Sequence, residues 1–449
     1  MSRRKVLFVV HNHPKTRPGG AEAYAFETYL AMRESPDLEP IFLAKGGPPL
    51  EPLGRPHHGT QFGPASADDP NQYFVYTDGY AFDWLYGTTT DKELYTKHLR
   101  GFLLAMRPDV VHFQHTLFLG YDLIREVRNT LPDAAIVYTL HEYLPICHRQ
   151  GQMVRTIANE LCDEESPRRC HQCFPEVSPQ TFFMRKRFVQ SHFDLVDRFI
   201  APSRFLLERY VEWGISRDRI EFEDYGRLTP QVRVAEPSDR PRDRFGFFGQ
   251  FNPYKGVDVL LEAMAILRGS EARGPSIPSR RGRMTAGDSP RPHLWVHGAN
   301  LDLQLGSFQT RFAELLAAAE DRVTLIGRYD HDDLPRLMRD VDWVVVPSIW
   351  WENSPLVIQE AFMHGRPVIT SDIGGMAEKV TDGVDGLHFH VGDAADLART
   401  IQRATSSPEL WDTLRAGISP VHAMDGHVRA LRDLYEAILT GRAAAGSAA

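Results

Sequence analysis

The feature that most constrains this 449-residue chain is a pattern that begins twice. Short β-branched or aromatic runs alternate with amphipathic stretches, as in parallel sheets joined by crossover helices. The first series reads KVLFVV (5–10), PIFLAK (40–45), DVVHF (109–113), AIVYTLH (135–141) and RFIAPS (198–203). The second opens with FGFFGQ (245–250) and continues through HLWVHG, RVTLIG, WVVVPS, RPVITS and GLHFHV. Helical spacing lies between the runs, as in Val257, Leu260, Leu261, Met264 and Leu267. The pattern predicts an α/β fold of two Rossmann-like, doubly wound parallel-sheet domains. Ligands are expected in the cleft between them, where strand carboxyl ends and helix N-termini converge.

The Pro-, Asp- and Arg-rich stretch Glu236–Arg244 reads as a linker. The expected units are therefore residues 1–235, residues 236–425, and a C-terminal helix and tail over 426–449 that ends frayed. Residues 145–180 hold all four cysteines and read as an insertion in the first unit. A second segment, 269–292, has few apolar groups and is expected to be a flexible surface insertion, with Arg273, Arg280, Arg281, Arg283 and Arg291 as solvated charge.

Composition removes several function classes. Fifty-one basic against fifty-nine acidic residues give a net charge of −8, which is no footprint for wrapping nucleic acid. No apolar run approaches the roughly 18 to 20 residues needed to span a bilayer. The basic start, Met1–Lys5, precedes an apolar stretch too short for a signal peptide, so a cytoplasmic protein is expected.

Two glycine- or carboxylate-bearing loops carry the chemistry. Gly19 and Gly20 follow the first strand and open a helix, where they let a ligand approach backbone amides that suit an anion. The stretch PSIWWENSPLVIQEAFMHGRPVITSDIGG is more specific. A strand ending at Val346 leads to Glu352, Asn353 and Ser354, then to a helix with Pro355 and Leu356 in its first turn and Glu360 further inside. Two carboxylates thus bracket the start of a helix. Carboxylates accept from vicinal hydroxyls and free helix amides hold phosphate, so the matching ligand has a sugar at one end, a diphosphate in the middle and a ribose at the other.

These residues bring the chain to a family. Glu352, seven residues and Glu360, followed by Ala-Phe-Met-His-Gly-Arg-Pro-Val-Ile, resembles the donor-site signature of the family-four retaining glycosyltransferases of GT-B fold (glycosyl transferases group 1). The Gly-Gly-Ala-Glu loop, FFGQFNPYKGVDVLLEA, RVTLIG and GGMAEKVTDGVDGLHF extend the resemblance over most of the chain. It implies transfer of a sugar from a nucleoside diphosphate sugar to a hydroxyl of a sugar or lipid-linked glycan, as in polysaccharide or glycoconjugate synthesis. Glu352 would contact the donor sugar, Glu360 the ribose, and Lys255 the departing diphosphate. Gln250 stands where many relatives carry Arg, which shifts charge to Lys255 and leaves Gln250 and Asn252 to donate neutral hydrogen bonds. The family places an acceptor-side histidine at the end of DVVHFQHTLFLG. His115 is the choice there, because alternation puts His112 on the opposite face as a core residue, and His141 is a comparable lining candidate. A nucleotide-sugar epimerase of the same fold and a non-catalytic carbohydrate-binding protein are the alternatives.

Four further features stand outside these motifs. Cys147, Cys162, Cys170 and Cys173 are separated by fourteen, seven and two residues, and a reducing compartment favours structural zinc over disulfides for such a cluster. No cofactor is expected for catalysis. FFMRKRFVQSHFDLV (182–196) interleaves aromatics with Arg185, Lys186 and Arg187, so it offers either a packed helix or a peripheral contact on the inner face of the membrane. Asp330, His331, Asp332 and Asp333 read as a loop and an acidic helix start. The aromatics of 54–87, among them Tyr73, Phe74, Tyr80, Phe82 and Trp84, either stack on sugars or pack.

Overall fold

The computed structural model describes residues 3–17, 19–47, 61–77, 79–157, 160–228, 241–272 and 291–447. The expected linker residues 236–240 and Arg273, Arg280, Arg281 and Arg283 lie outside the described residues. The chain forms two compact units, Met1–Leu228 with His422–Ala449, and Thr229–Val421.

Unit 1 holds β1 (Arg4–Val10), β2 (Leu38–Lys45), β3 (Phe62–Pro64), β4 (Gln72–Val75), β5 (Phe82–Asp83), β6 (Thr88–Thr89), β7 (Val110–Phe113), β8 (Ala135–Thr139), β9 (Arg198–Ala201) and β10 (Ile220–Phe222). Eight of these form one sheet in the order β10-β9-β8-β7-β1-β2-β4-β3, parallel except for the β3–β4 pair. β5 and β6 make a separate ribbon. Unit 2 holds β11 (Arg244–Gln250), β12 (His293–Ala299), β13 (Val323–Gly327), β14 (Trp343–Val346), β15 (Val368–Ser371) and β16 (Gly386–Phe389), all parallel, in the order β13-β12-β11-β14-β15-β16.

Strand alternation builds the core of unit 2. Phe245 and Phe247 of β11 and Trp343 and Val345 of β14 enter one apolar layer, whereas Phe248, Val344 and Val346 enter the layer on the other face. Both faces are covered, which is why these strands read as continuous apolar runs.

Two expected boundaries move. The helix after β11 runs Val257–Ala272, so the first residues of the supposed insertion, 269–272, are helical. The C-terminal helix, Met424–Ser447, is neither a separate unit nor frayed from residue 441. Its Leu431, Tyr435 and Ile438 join Val6, Phe8, Phe42, Val110 and Val137 in the core of unit 1. Tyr435 also completes a buried polar chain, since His112 pairs through Nδ1 with the Tyr435 hydroxyl at 2.6 Å and through Nε2 with Thr139 Oγ1 at 2.7 Å. His112 is thus a satisfied core residue.

Tyr435→Phe would leave a buried imidazole nitrogen without its partner. The expected loss is about 1–3 kcal/mol, confined to the unit 1 transition in urea unfolding, with the unit 2 transition unmoved.

Candidate functional site

In unit 2 the sheet order reverses between β11 and β14, and open α/β sheets bind ligands at the carboxyl ends of the strands beside such a switch point. Asn252 Oδ1 accepts from the amides of Tyr254 (2.9 Å) and Lys255 (3.0 Å), which turns the chain after β11. Gly256 follows at φ +66°, and a Cβ there would sit 1.8 Å from the Pro347 carbonyl oxygen. Only glycine fits, for both reasons. The loop after β15 closes in the same way. A Cβ on Gly375 would lie 1.5 Å from the Asn353 carbonyl oxygen, and its amide donates to the Glu352 carbonyl at 2.9 Å.

These backbone contacts set an ion pair between a buried Glu352 and a half-buried Lys255. Glu352 Oε1 accepts from Lys255 Nζ at 2.6 Å, Ser348 Oγ at 2.8 Å and Trp350 Nε1 at 2.9 Å. Burial pushes the Glu352 carboxyl up, but the Lys255 ammonium and these hydrogen bonds outweigh it, and the group stays ionised below the usual glutamate range. All three donors converge on Oε1, and among the described residues none donates to Oε2. The helix Leu356–Met363 begins directly after Pro355, with Ser354 buried before it, and its first amides have no intrahelical acceptors. Asn353 is half-buried on the loop between Glu352 and Ser354. Glu360 is half-buried in the same helix, close enough that its charge adds to burial in raising the Tyr329 phenol. Gln250 is exposed at the end of β11. Asn252 spends its oxygen on the turn. Ser348 and Trp350 lay inside the quoted motif, but sequence gave them no role; a side-chain donor four or two residues before a carboxylate is visible only once the loop is folded.

In unit 1 the Gly19–Gly20 turn differs from expectation. Gly19 caps the helix Gly20–Arg33 in an extended conformation, and a Cβ there would meet Glu22 Oε2 at 2.4 Å. The anion beside this turn is the protein's own carboxylate, which accepts from His11 Nε2 (3.0 Å) and Asn12 Nδ2 (3.2 Å). Gly20 is exposed at the helix start.

The end of β7 gathers a histidine group. The His115 ring lies 4.1 Å from that of His11, and its Nδ1 accepts from the Leu117 amide at 3.0 Å, which leaves the proton on Nε2, 3.5 Å from Glu142 Oε1. Burial, then His11 and His141, hold His115 well below its ordinary value. His141 Nε2 pairs with Gln114 Oε1 at 2.8 Å and Nδ1 with the Tyr225 hydroxyl at 2.6 Å, and burial lowers it to about 3. Burial pushes Glu142 up to about 8, against the Leu144 amide and Arg185. Two buried atoms here, Gln114 Nε2 and His11 Nδ1, have no hydrogen-bond partner. His11 follows β1, Glu22 sits in the first turn of the helix Gly20–Arg33 and Glu142 follows β8, so sequence spacing did not group them with His115.

The cysteines are free thiols, and among the described residues no three of them bring their sulfurs within 4.8 Å of one another. Cys162 Sγ donates to the Glu164 carbonyl at 3.3 Å, and burial pushes Cys147 up to about 11 and Cys170 up to about 12. Cys173 ends the short helix Pro167–Cys173. As arranged, the four do not form a zinc site. Arg185 ties this region together instead, donating to the carbonyls of Leu85 (2.8 Å), Pro145 (2.9 Å) and Leu144 (2.6 Å). It is therefore buried, and the basic face expected for membrane contact keeps only Lys186 and Arg187. No helix among the described residues is long and apolar enough to cross a membrane. The acidic run forms a short turn, His331–Asp333, leading into the helix Leu334–Asp340. Of the aromatics, Phe82 is buried, Phe74 packs on the core and Tyr80 is fully exposed.

Residues 18–222 match the model of glycosyltransferase family 4, and residues 242–407 that of the glycosyl transferases group 1. The D-inositol 3-phosphate glycosyltransferase of Salinispora arenicola is 31% identical over 229 residues, 50% of this chain and 47% of that protein. The lipopolysaccharide core biosynthesis mannosyltransferase LpsB of Rhizobium meliloti is 28% identical over 220 residues, 46% of this chain and 56% of that protein. The chain thus spans about half the length of these curated relatives. Among solved structures, Anabaena HepE in complex with UDP and glucose aligns over 97% of this chain and 100% of its own at 17% identity and a TM-score of 0.59. The sucrose-phosphate synthase of Thermosynechococcus elongatus aligns over 98% and 100% at 18% identity and a TM-score of 0.67. With matching models on both halves and two doubly wound sheets, the chain belongs to the family-four, group 1 glycosyltransferases of GT-B fold.

Proposed function

We propose that this protein is a retaining glycosyltransferase that moves a sugar from a nucleoside diphosphate sugar to an acceptor hydroxyl on a sugar or lipid-linked glycan. The observation that carries this reading is the Lys255–Glu352 pair fixed at the switch point of unit 2, next to an open helix N-terminus. Glu352 Oε2 takes a sugar hydroxyl, the helix amides near Ser354 take the diphosphate, and Glu360 takes the ribose. As the glycosidic bond loosens, negative charge grows on the β-phosphate oxygen, and Lys255 and the helix amides stabilise it. The leaving phosphate accepts the proton of the acceptor hydroxyl attacking from the same face, so no protein nucleophile is needed. HepE was solved with UDP-glucose, which makes that compound the first donor to test.

Unit 1 supplies the acceptor side. The unpartnered Gln114 Nε2 and His11 Nδ1 are placed for a hydroxyl that accepts from one and donates to the other. His115 and His141 are neutral and Glu142 is protonated at neutral pH, which suits an uncharged hydroxyl group.

Three outcomes are expected. Nucleoside diphosphate release from UDP-glucose or another sugar nucleotide should require a hydroxyl acceptor and give a product of retained anomeric configuration. Conversion to a different sugar nucleotide would instead assign an epimerase, and binding with neither product a carbohydrate-binding protein. Lys255→Ala should lower turnover about 100- to 1,000-fold, with circular dichroism confirming the fold; near-wild-type turnover removes the assignment. The acceptor kcat/KM should fall as pH rises through about 8, where Glu142 ionises, and Glu142→Gln should lose that alkaline limb. A limb that persists in the variant takes Glu142 out of the acceptor pocket.

A further inference from the structure

One cluster in unit 1 has no part in this chemistry. Glu223 follows β10, close to the point where the chain leaves unit 1, and His422 and His427 lie where it re-enters. The exit and return segments are tied by backbone hydrogen bonds, from the Arg227 amide to the His422 carbonyl and from the Met424 amide to the Arg227 carbonyl, both 2.9 Å. Glu223 Oε1 lies 2.8 Å from His422 Nε2 and 2.8 Å from His427 Nδ1. Among the described residues this is the one group of three or more His, Cys, Asp or Glu whose ligand atoms fall within 4.8 Å of one another.

We propose that Glu223, His422 and His427 form a binding site for a divalent cation of the zinc type. Two imidazoles and one carboxylate are a ligand set that Zn²⁺ favours, with a water completing four-coordination. The surroundings fit in three ways. His427 is fully buried, and its other nitrogen, Nε2, is held by the Tyr24 hydroxyl at 2.7 Å, the outer hydrogen bond that orients a metal-bound histidine. Tyr24 has Thr28 and Thr139 beside its hydroxyl, so it can accept from His427 when the metal takes Nδ1. His422 is about one-third exposed, which gives the ion and its water a route in. On binding, each imidazole presents to the ion the nitrogen that now faces Glu223, with a proton on the opposite ring nitrogen, and the ion replaces the two hydrogen bonds now converging on Glu223 Oε1. The bound cation would fasten the outgoing segment of unit 1 to the start of the C-terminal helix.

The test uses the full chain freed of metal by chelator and titrated with Zn²⁺ by calorimetry and with Co²⁺ by absorption. One equivalent should bind, raise the unfolding midpoint and give tetrahedral cobalt bands without a thiolate charge-transfer band. His422→Ala, at a partly exposed position, and Glu223→Gln should lose this equivalent while retaining the fold. Tyr24→Phe should weaken it about 10- to 100-fold, and Cys170→Ser should leave it intact. A thiolate band that disappears in Cys170→Ser would assign the metal to the cysteines and overturn the proposal. Absence of stoichiometric binding to the wild type would overturn it too, leaving the cluster as a hydrogen-bonded pin.

Discussion

Two approaches of backbone to backbone hold the donor side of this protein in shape. Gly256 passes under the Pro347 carbonyl, and Gly375 passes against the Asn353 carbonyl, each at a distance that no β-carbon tolerates. The loops leaving β11, β14 and β15 are thereby fixed relative to one another. Lys255 precedes one of these glycines, and Glu352 gives its own carbonyl to the amide of the other. A carboxylate buried with an ammonium at 2.6 Å costs desolvation that only good geometry offsets, and here the main chain fixes the loops that carry both groups.

The two units solve opposite electrostatic problems. Unit 2 keeps a carboxylate charged in a buried place by aiming an ammonium, a hydroxyl and an indole N–H at one of its oxygens. Unit 1 keeps His115 and His141 deprotonated and Glu142 protonated by burial, while the neighbouring Glu22 stays ionised against His11 and Asn12. In the proposed transfer, a diphosphate with growing charge needs the first environment, and a hydroxyl about to be consumed is accommodated by the second.

Much of this was legible in the residues, for identifiable reasons. Strands buried on both faces read as apolar runs, so β1, β2, β7, β8, β9 and the inner strands of unit 2 were visible, and the edge strand β13 showed through its apolar Val323, Leu325 and Ile326 although it is not buried. β3, β4 and β10 span only three or four residues each, too few to show a period, and Gln72, Tyr73, Phe74 and Val75 read as part of an aromatic loop. The C-terminal helix looked like an appendage because its partners, Val6, Phe8 and Phe42, are hundreds of residues away. The residues of the proposed donor pocket were easy to group since they fall within one short stretch and one turn. The histidine group was not, since His11, Glu22, His115 and Glu142 meet only after three strands align side by side. Gly19 misled for a physical reason, as the space left by its missing side chain is taken by Glu22. Cysteine spacing by itself says nothing about whether sulfurs converge.

The three donors on Glu352 also bear on what Lys255 is able to do. If Lys255 alone kept Glu352 ionised, drawing the ammonium toward a phosphate would leave a buried carboxylate uncompensated, and the cost would oppose the very step that needs the cation. Ser348 and Trp350 remain in place when the lysine moves, since both are fixed by the same loop that carries Glu352. In the proposed reaction the carboxylate then keeps two hydrogen bonds on Oε1 and takes a sugar hydroxyl on Oε2. Lys255 is thereby freed, in that mechanism, to follow the charge as it develops, and a stronger interaction with the departing diphosphate than with the intact donor is the condition for such a group to accelerate the reaction.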